Sequence, residues 1–160
     1  MKFGLAVAVS GLGLWASLAS VQGQSGQNQP PNQWVMNCNM EKGRDCSVSA
    51  MIDGNSLLGS FAIVSYSAAY TTLTVVVDGM GQRASLQVDW NPLVWTDICT
   101  GGECSFVQGK SIQLVQEMLQ GSRIVVQVSM QNDNMTGPLQ MSLNGFAAQY
   151  KRAVQAQQGR

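Results

Sequence analysis

The stretch "RASLQVDW", Arg83–Trp90, decides the fold. Ala84, Leu86 and Val88 alternate with Ser85, Gln87 and Asp89, which gives one dry face and one wet face at the two-residue period of a strand. Runs of the same kind recur on both sides, rich in β-branched and aromatic residues and separated by turn chemistry. Before it come "WVMNC", "DCSVSAMI", "GSFAIVSYS" and "YTTLTVVV", with "DGN" and "DGMGQ" as punctuation. After it come "RIVVQVSM" and "PLQMSL", joined by the turn-forming "QNDNMTG". Many short strands at intervals of about ten residues, with little helix, predict an all-β antiparallel β-sandwich; a small closed barrel is the alternative.

Two segments break the pattern, so one or two short helices are expected. "SIQLVQEMLQG" places Ile112, Val115, Met118 and Leu119 on one helical stripe. Ser111 is its expected N-cap, and Gly121 stands where a left-handed C-terminal cap belongs. In "NGFAAQYKRAVQAQ", Phe146, Tyr150 and Val154 recur four apart with Lys151 and Arg152 facing outward. A second amphipathic turn or two, docked on the sheet, should result.

The ends of the chain differ in composition from its middle. Lys2 precedes an uncharged, mostly apolar run from Phe3 to Ala19, the shape of a secretory signal, with small residues suited to cleavage after Ala19 or Gly23. The run falls short of a membrane span. "QGQSGQNQPPNQ" then lacks apolar periodicity and reads as a tether. The expected organisation is a signal peptide over 1–23, a Gln/Pro-rich flexible tether over 24–33, a sandwich domain over 34–154 and a frayed tail over 155–160. The 160 residues carry zero formal net charge and only 11% charged residues, so no field exists to hold nucleic acid or anionic lipid. After cleavage the protein is expected to have no membrane span and to reside in a periplasm or outside the cell.

Export governs how the four cysteines read, because thiols in an oxidising compartment pair. Cys38 and Cys46 form C-x7-C, and Cys99 and Cys104 form C-x4-C. Structural zinc favours two tight pairs, and only the second pair fits. Redox catalysis favours C-x-x-C at a helix N-terminus, and neither pair fits. "CTGGEC" can instead return the chain so that Cys99 faces Cys104 across a hairpin neck, and "CNMEKGRDC" can do the same with a longer loop. Local disulfides are therefore favoured among three connectivities. Met36, Cys38 and Met40 would share a strand face that suits Cu(I), but the chain has no histidine to complete a copper site.

The missing histidine also removes Ser-His-Asp and Cys-His catalysis. Asp89 and Asp97 flank "WNPLVWT", but they read as loop or strand-edge carboxylates facing water rather than as a glycosidase pair. No catalytic residue, metal or cofactor is expected. The candidate partner contacts are Trp90 and Trp95, whose rings suit stacking, together with Thr100, Gly101, Gly102 and Glu103 in the "TGGE" loop.

Trp34 with Cys38 and Cys46, then "LQVD", "CTGGEC" with the following amphipathic segment, "GSRIVVQV" and "SLNGFAAQY" together resemble the invasion-associated locus B family of bacterial envelope proteins over roughly 34–150. The resemblance implies an immunoglobulin-like β-sandwich exported by Gram-negative bacteria, with members linked to host-cell entry and no known enzymatic activity. The chain departs from the family at "VVVDGMGQ" and in its low charge. The expected function is that of a non-enzymatic envelope protein acting through contact with an unknown protein partner in the envelope or host. The alternatives are a periplasmic inhibitor of a hydrolase such as lysozyme, with "CTGGEC" as the plug, and Cu(I) handling.

Overall fold

The structure, a computed structural model, describes residues 32–39, 45–53, 61–77, 81–130 and 138–159. The expected signal, the tether through residue 31, Met40 and the turn residues 54–55, 78–80 and 131–137 lie outside them. The elements are β1 (Val35–Asn39), β2 (Asp45–Asp53), β3 (Phe61–Ser67), β4 (Thr72–Val77), β5 (Gly81–Val88), β6 (Val94–Trp95), β7 (Ile98–Thr100), β8 (Glu103–Ser105), α1 (Gln108–Gln120), β9 (Arg123–Met130), β10 (Leu139–Ser142) and α2 (Phe146–Gln158). Six strands form one sheet in the order β1-β2-β3-β4-β8-β7, and four form a second in the order β10-β9-β5-β6. The pairings are antiparallel. The fold is thus the antiparallel sandwich expected from the alternation, with two helices.

Alternation decides which side chains meet between the sheets. Val48, Ala50 and Ile52 of β2, Ala62 and Val64 of β3, and Leu73 and Val75 of β4 are fully buried, while their strand neighbours face outward. Leu86, Ile124 and Val126 close the core from the four-stranded sheet. Burying each such aliphatic side chain stabilises the fold by about 1.5–3 kcal/mol, offset by the entropy of ordering the chain. Trp34 locks the start of β1 across the sandwich. Its Nε1–H donates to the Ser142 carbonyl at 3.0 Å, and its ring meets Phe146 edge-on at 4.8 Å.

Both helices differ from expectation in informative ways. α1 begins at Gln108, so Ser111 lies inside it rather than capping it. The Ser111 hydroxyl is buried, donates to the Phe106 carbonyl at 3.0 Å and accepts the Leu73 N–H at 3.0 Å. A side chain that bonds β4 across the core gains more there than at a solvated helix end. The buried face consists of Ser111, Leu114, Val115 and Met118; Ile112 is exposed. Gly121 has φ −81° and ψ 171°, an extended conformation rather than the expected left-handed one. What calls for glycine there is proximity rather than a left-handed backbone: a Cβ would sit 2.5 Å from Val88 Cγ1.

α2 is longer than a turn or two, running to Gln158 and so past the expected domain end at 154. Ala153 is buried, Ala156 packs on the core, and Gln157 Oε1 accepts the Cys46 N–H at 3.3 Å, so the last turn has partners that keep it helical. Tyr150 lies 5.3 Å from Tyr66, and burial together with this neighbour pushes the Tyr66 pKa up to about 12. Among the described residues, no helix is long and apolar enough to cross a membrane.

Candidate functional site

The alternation of β5 that buries Ala84, Leu86 and Val88 turns Arg83, Ser85 and Gln87 to the outer face of the four-stranded sheet. β9 contributes Arg123, Val125 and Gln127 to the same face, because Val88 pairs with Ile124 and Ser85 with Gln127. Two aromatic rings meet the two cations there. The Arg123 guanidinium lies 4.7 Å from the Trp90 ring centroid, and the Arg83 guanidinium lies 5.0 Å from that of Trp95. Arg83 and Arg123 sit near opposite ends of β5, about 20 Å apart at the rise of a strand. Trp90 is 88% exposed, far beyond what a core aromatic shows, whereas Trp95 is half-buried.

Trp90 is held out by a tightly bonded turn. Asp89 has φ +50°, a left-handed conformation that a short polar residue tolerates. Its carboxylate accepts from the Ser122 hydroxyl at 2.7 Å and from the Arg123 N–H at 3.0 Å, and it also accepts the Ser122 N–H. The hydroxyl bond first, and the Ser122 backbone bond next, hold its pKa below the usual carboxylate range. The Asn91 N–H closes the turn onto the Val88 carbonyl at 2.9 Å, and Asn91 Nδ2 donates to Glu117 of α1 at 3.0 Å.

Trp95 sits at the crossover between the sheets. Thr96 mimics a strand partner there: its hydroxyl donates to the Ala84 carbonyl at 3.0 Å and accepts the Ala84 N–H at 3.1 Å. Asp97 accepts the Val107 N–H at 2.8 Å and pairs with Lys110 at 2.6 Å, which lowers its pKa through the Lys110 bond first. Asp89 and Asp97 are therefore fastenings at two ends of the β5–β7 connection. Ser85, fully buried between its strand neighbours Trp95 and Gln127, has a hydroxyl without a hydrogen bond among the described residues.

Both local cysteine pairs are at disulfide distance, Cys38 with Cys46 and Cys99 with Cys104. Each pair lies directly opposite in register, one across β1 and β2 and the other across β7 and β8. Gly101 and Gly102, with φ +59° and +86°, make the two-residue reversal between paired Thr100 and Glu103, a conformation that favours glycine at both positions. Gly102 is pinned by the Val77 N–H, which donates to its carbonyl at 2.9 Å. Met36 and Cys38 share the inward face, as their spacing requires, and both pack against the core. No three His, Cys, Asp or Glu residues gather for a metal among the described residues.

The structure does not bring the six candidate contact residues into one patch. The Thr100–Glu103 reversal lies where β4 ends and β5 begins, while Trp90 follows the other end of β5, about 25 Å along the strand. The sequence singled out the tryptophans but not Arg83 and Arg123, which the structure places against them. Arg83 stands at an outward position in the alternation, a usable signal, but nothing local connects Arg123 with Trp90.

No family model matches the chain, and no curated protein matches it. Among solved structures, the fold is similar to the crystal structure of invasion associated protein B from Bartonella henselae. The two share 18% identity with a TM-score of 0.54, over 81% of this chain and 96% of that one. At this identity the likeness establishes a related fold.

Proposed function

We propose that this chain is a non-enzymatic, exported envelope protein that acts by contact with a protein partner, through the outer face of its four-stranded sheet. The observation that carries the reading is the pair of arginine–tryptophan stacks on that face. Tryptophan and arginine are the side chains most enriched at binding hot spots, and a ring already packed on a guanidinium loses little freedom on docking. Neither guanidinium forms a salt bridge among the described residues, although the Asp89 carboxylate lies near Arg123, and two cations on one face favour an acidic partner surface. Cross-strand disulfides fit an oxidising compartment, which supports export to a periplasm or beyond. The fold relation to a protein named for invasion supports an interaction with a host cell as the setting.

The test is affinity capture from envelope and host-cell extracts with the parent protein and with Trp90→Ala/Arg123→Ala and Arg83→Ala/Trp95→Ala variants. A partner retained by the parent and lost by both variants supports the proposal. Equal capture by all three proteins refutes the assignment of the face.

A further inference from the structure

On the far side of the sandwich, the outer face of the six-stranded sheet holds a groove of about 370 Å³ that the contact proposal does not use. Register lays out its floor. Ser105, Thr74 and Ser65 lie side by side across β8, β4 and β3, and Thr72, Ser67 and Ser47 form a second row across β4, β3 and β2. The result is a grid of two rows of three hydroxyls, the second displaced by one strand from the first, stepping about 4.8 Å between strands and about 6.7 Å along them. Asp45 and Tyr70 flank the second row and Glu103 flanks the first, so the groove crosses the sheet between two carboxylates.

The grid has open hydrogen-bonding capacity. Ser67 donates to Asp45 at 2.8 Å, Thr72 to the Tyr70 carbonyl at 3.1 Å and Thr74 to the Ser65 carbonyl at 3.3 Å. The hydroxyls of Ser47, Ser65 and Ser105 make no such bond among the described residues. Each can donate once and accept twice, and the Glu103 carboxylate adds acceptors. Tyr70 is 68% exposed at the rim, with its backbone N–H held by Ser67 at 3.2 Å.

The lining excludes most ligand classes. It contains no cation among the described residues and two carboxylates, which repel nucleic acid, phosphate and acidic polymers. Its floor is hydroxyl rather than aliphatic, so an acyl chain or apolar peptide gains little. Interior strands have their backbone groups paired, so an extended peptide cannot add to the sheet here. The two carboxylates stand at opposite ends of the groove, on β2 and β8, and Asp45 already accepts from Ser67, so they do not converge on one cation. What remains is a ligand that is uncharged, rich in hydroxyls on both edges, and flat enough to rest on one aromatic ring. The interstrand step is also close to the length of one pyranose residue in an extended glycan.

We infer that this groove binds an uncharged oligosaccharide, laid across β2, β3, β4 and β8 with one sugar ring against Tyr70. The site stands apart from the arginine–tryptophan face, and the two fail separately. The probes are chitotetraose and cellotetraose, titrated into the isotopically labelled protein and followed by amide shifts. Saturable shifts confined to outward positions of these four strands, unchanged by added salt, support the inference. Tyr70→Ala should weaken binding by about tenfold, the upper value for a stacked aromatic contact. Ser65→Ala/Ser105→Ala should weaken it while leaving the thermal transition in place, since both residues are on the surface. Absence of shifts with both sugars at millimolar concentration overturns the site, as do shifts centred on Trp90 and Trp95. Tighter binding of polygalacturonate than of either neutral sugar also overturns it, because the carboxylates would then not be shaping the choice.

Discussion

Replacing Gly121 with alanine tests whether the seam between α1 and β9 is set by contact rather than by backbone conformation. The backbone at φ −81° and ψ 171° accepts any L residue, so conformational preference alone makes Gly121→Ala stabilising by about 0.4–1 kcal/mol through the unfolded chain. Contact opposes this. The new methyl carbon would lie 2.5 Å from Val88 Cγ1, 3.0 Å from an Asp89 carboxylate oxygen and 3.0 Å from the Glu117 carbonyl oxygen. Carbon atoms rest at about 3.5–4.0 Å, so roughly 1 Å of movement is needed against Val88, a β-branched residue in the core that cannot swing aside. Overpacking of this kind costs about 1–3 kcal/mol, and an approach this close to a core carbon belongs in the upper half of that range, so contact wins by about 1–2 kcal/mol. With a urea dependence of about 2 kcal/mol per molar, the unfolding midpoint should fall by about 0.5–1 M. In a Val88→Ala background, where the clashing carbon is gone, the cost of Gly121→Ala should shrink by at least about 0.5 kcal/mol. A midpoint for Gly121→Ala equal to or above that of the parent refutes the reasoning.

Gly101→Ala probes the opposite case. Nothing lies within 4 Å of its missing Cβ but φ is +59°, so destabilisation of about 1 kcal/mol is expected in a thermal melt, with Gly101→Asn recovering most of it. The disulfides close short loops, with sequence separations of 8 and 5, and paired Cys→Ala replacement at either should cost about 2–3 kcal/mol by urea unfolding under oxidising conditions. Tyr66 carries a pKa raised to about 12, so the folded state holds its proton more tightly than the unfolded chain. Its contribution is complete below about pH 10 and is lost as pH rises toward 12, and Tyr66→Phe should flatten the stability profile over that window. Asp89 has a lowered pKa, so its contribution is present above the ordinary carboxylate range and is lost as pH falls through it. Trp90 fluorescence should change on acidification, and Asp89→Asn should blunt the change.

Much of the architecture is legible in the linear chain because strand patterning is local. The period-two burial of β2, β3, β4 and β5 follows from residue order alone, and so do the expected sheet packing and the glycine pair that reverses the chain between Cys99 and Cys104. Ser111 and Gly121 show where local reading fails. Each has a residue type that suits a helix end, yet each is governed by an atom from a distant strand, the Leu73 N–H in one case and Val88 Cγ1 in the other.

The two surfaces divide in the same way. Sequence by itself determined a histidine-free chain of zero formal net charge, with alternating strands and cysteines placed to pair locally, because composition, period and loop length act between near neighbours. Only the tertiary structure decided that Arg123 lies over Trp90 and that hydroxyls from four strands form one grid. Those juxtapositions depend on strand order and register, which are set by which dry faces pack together rather than by any short run of residues.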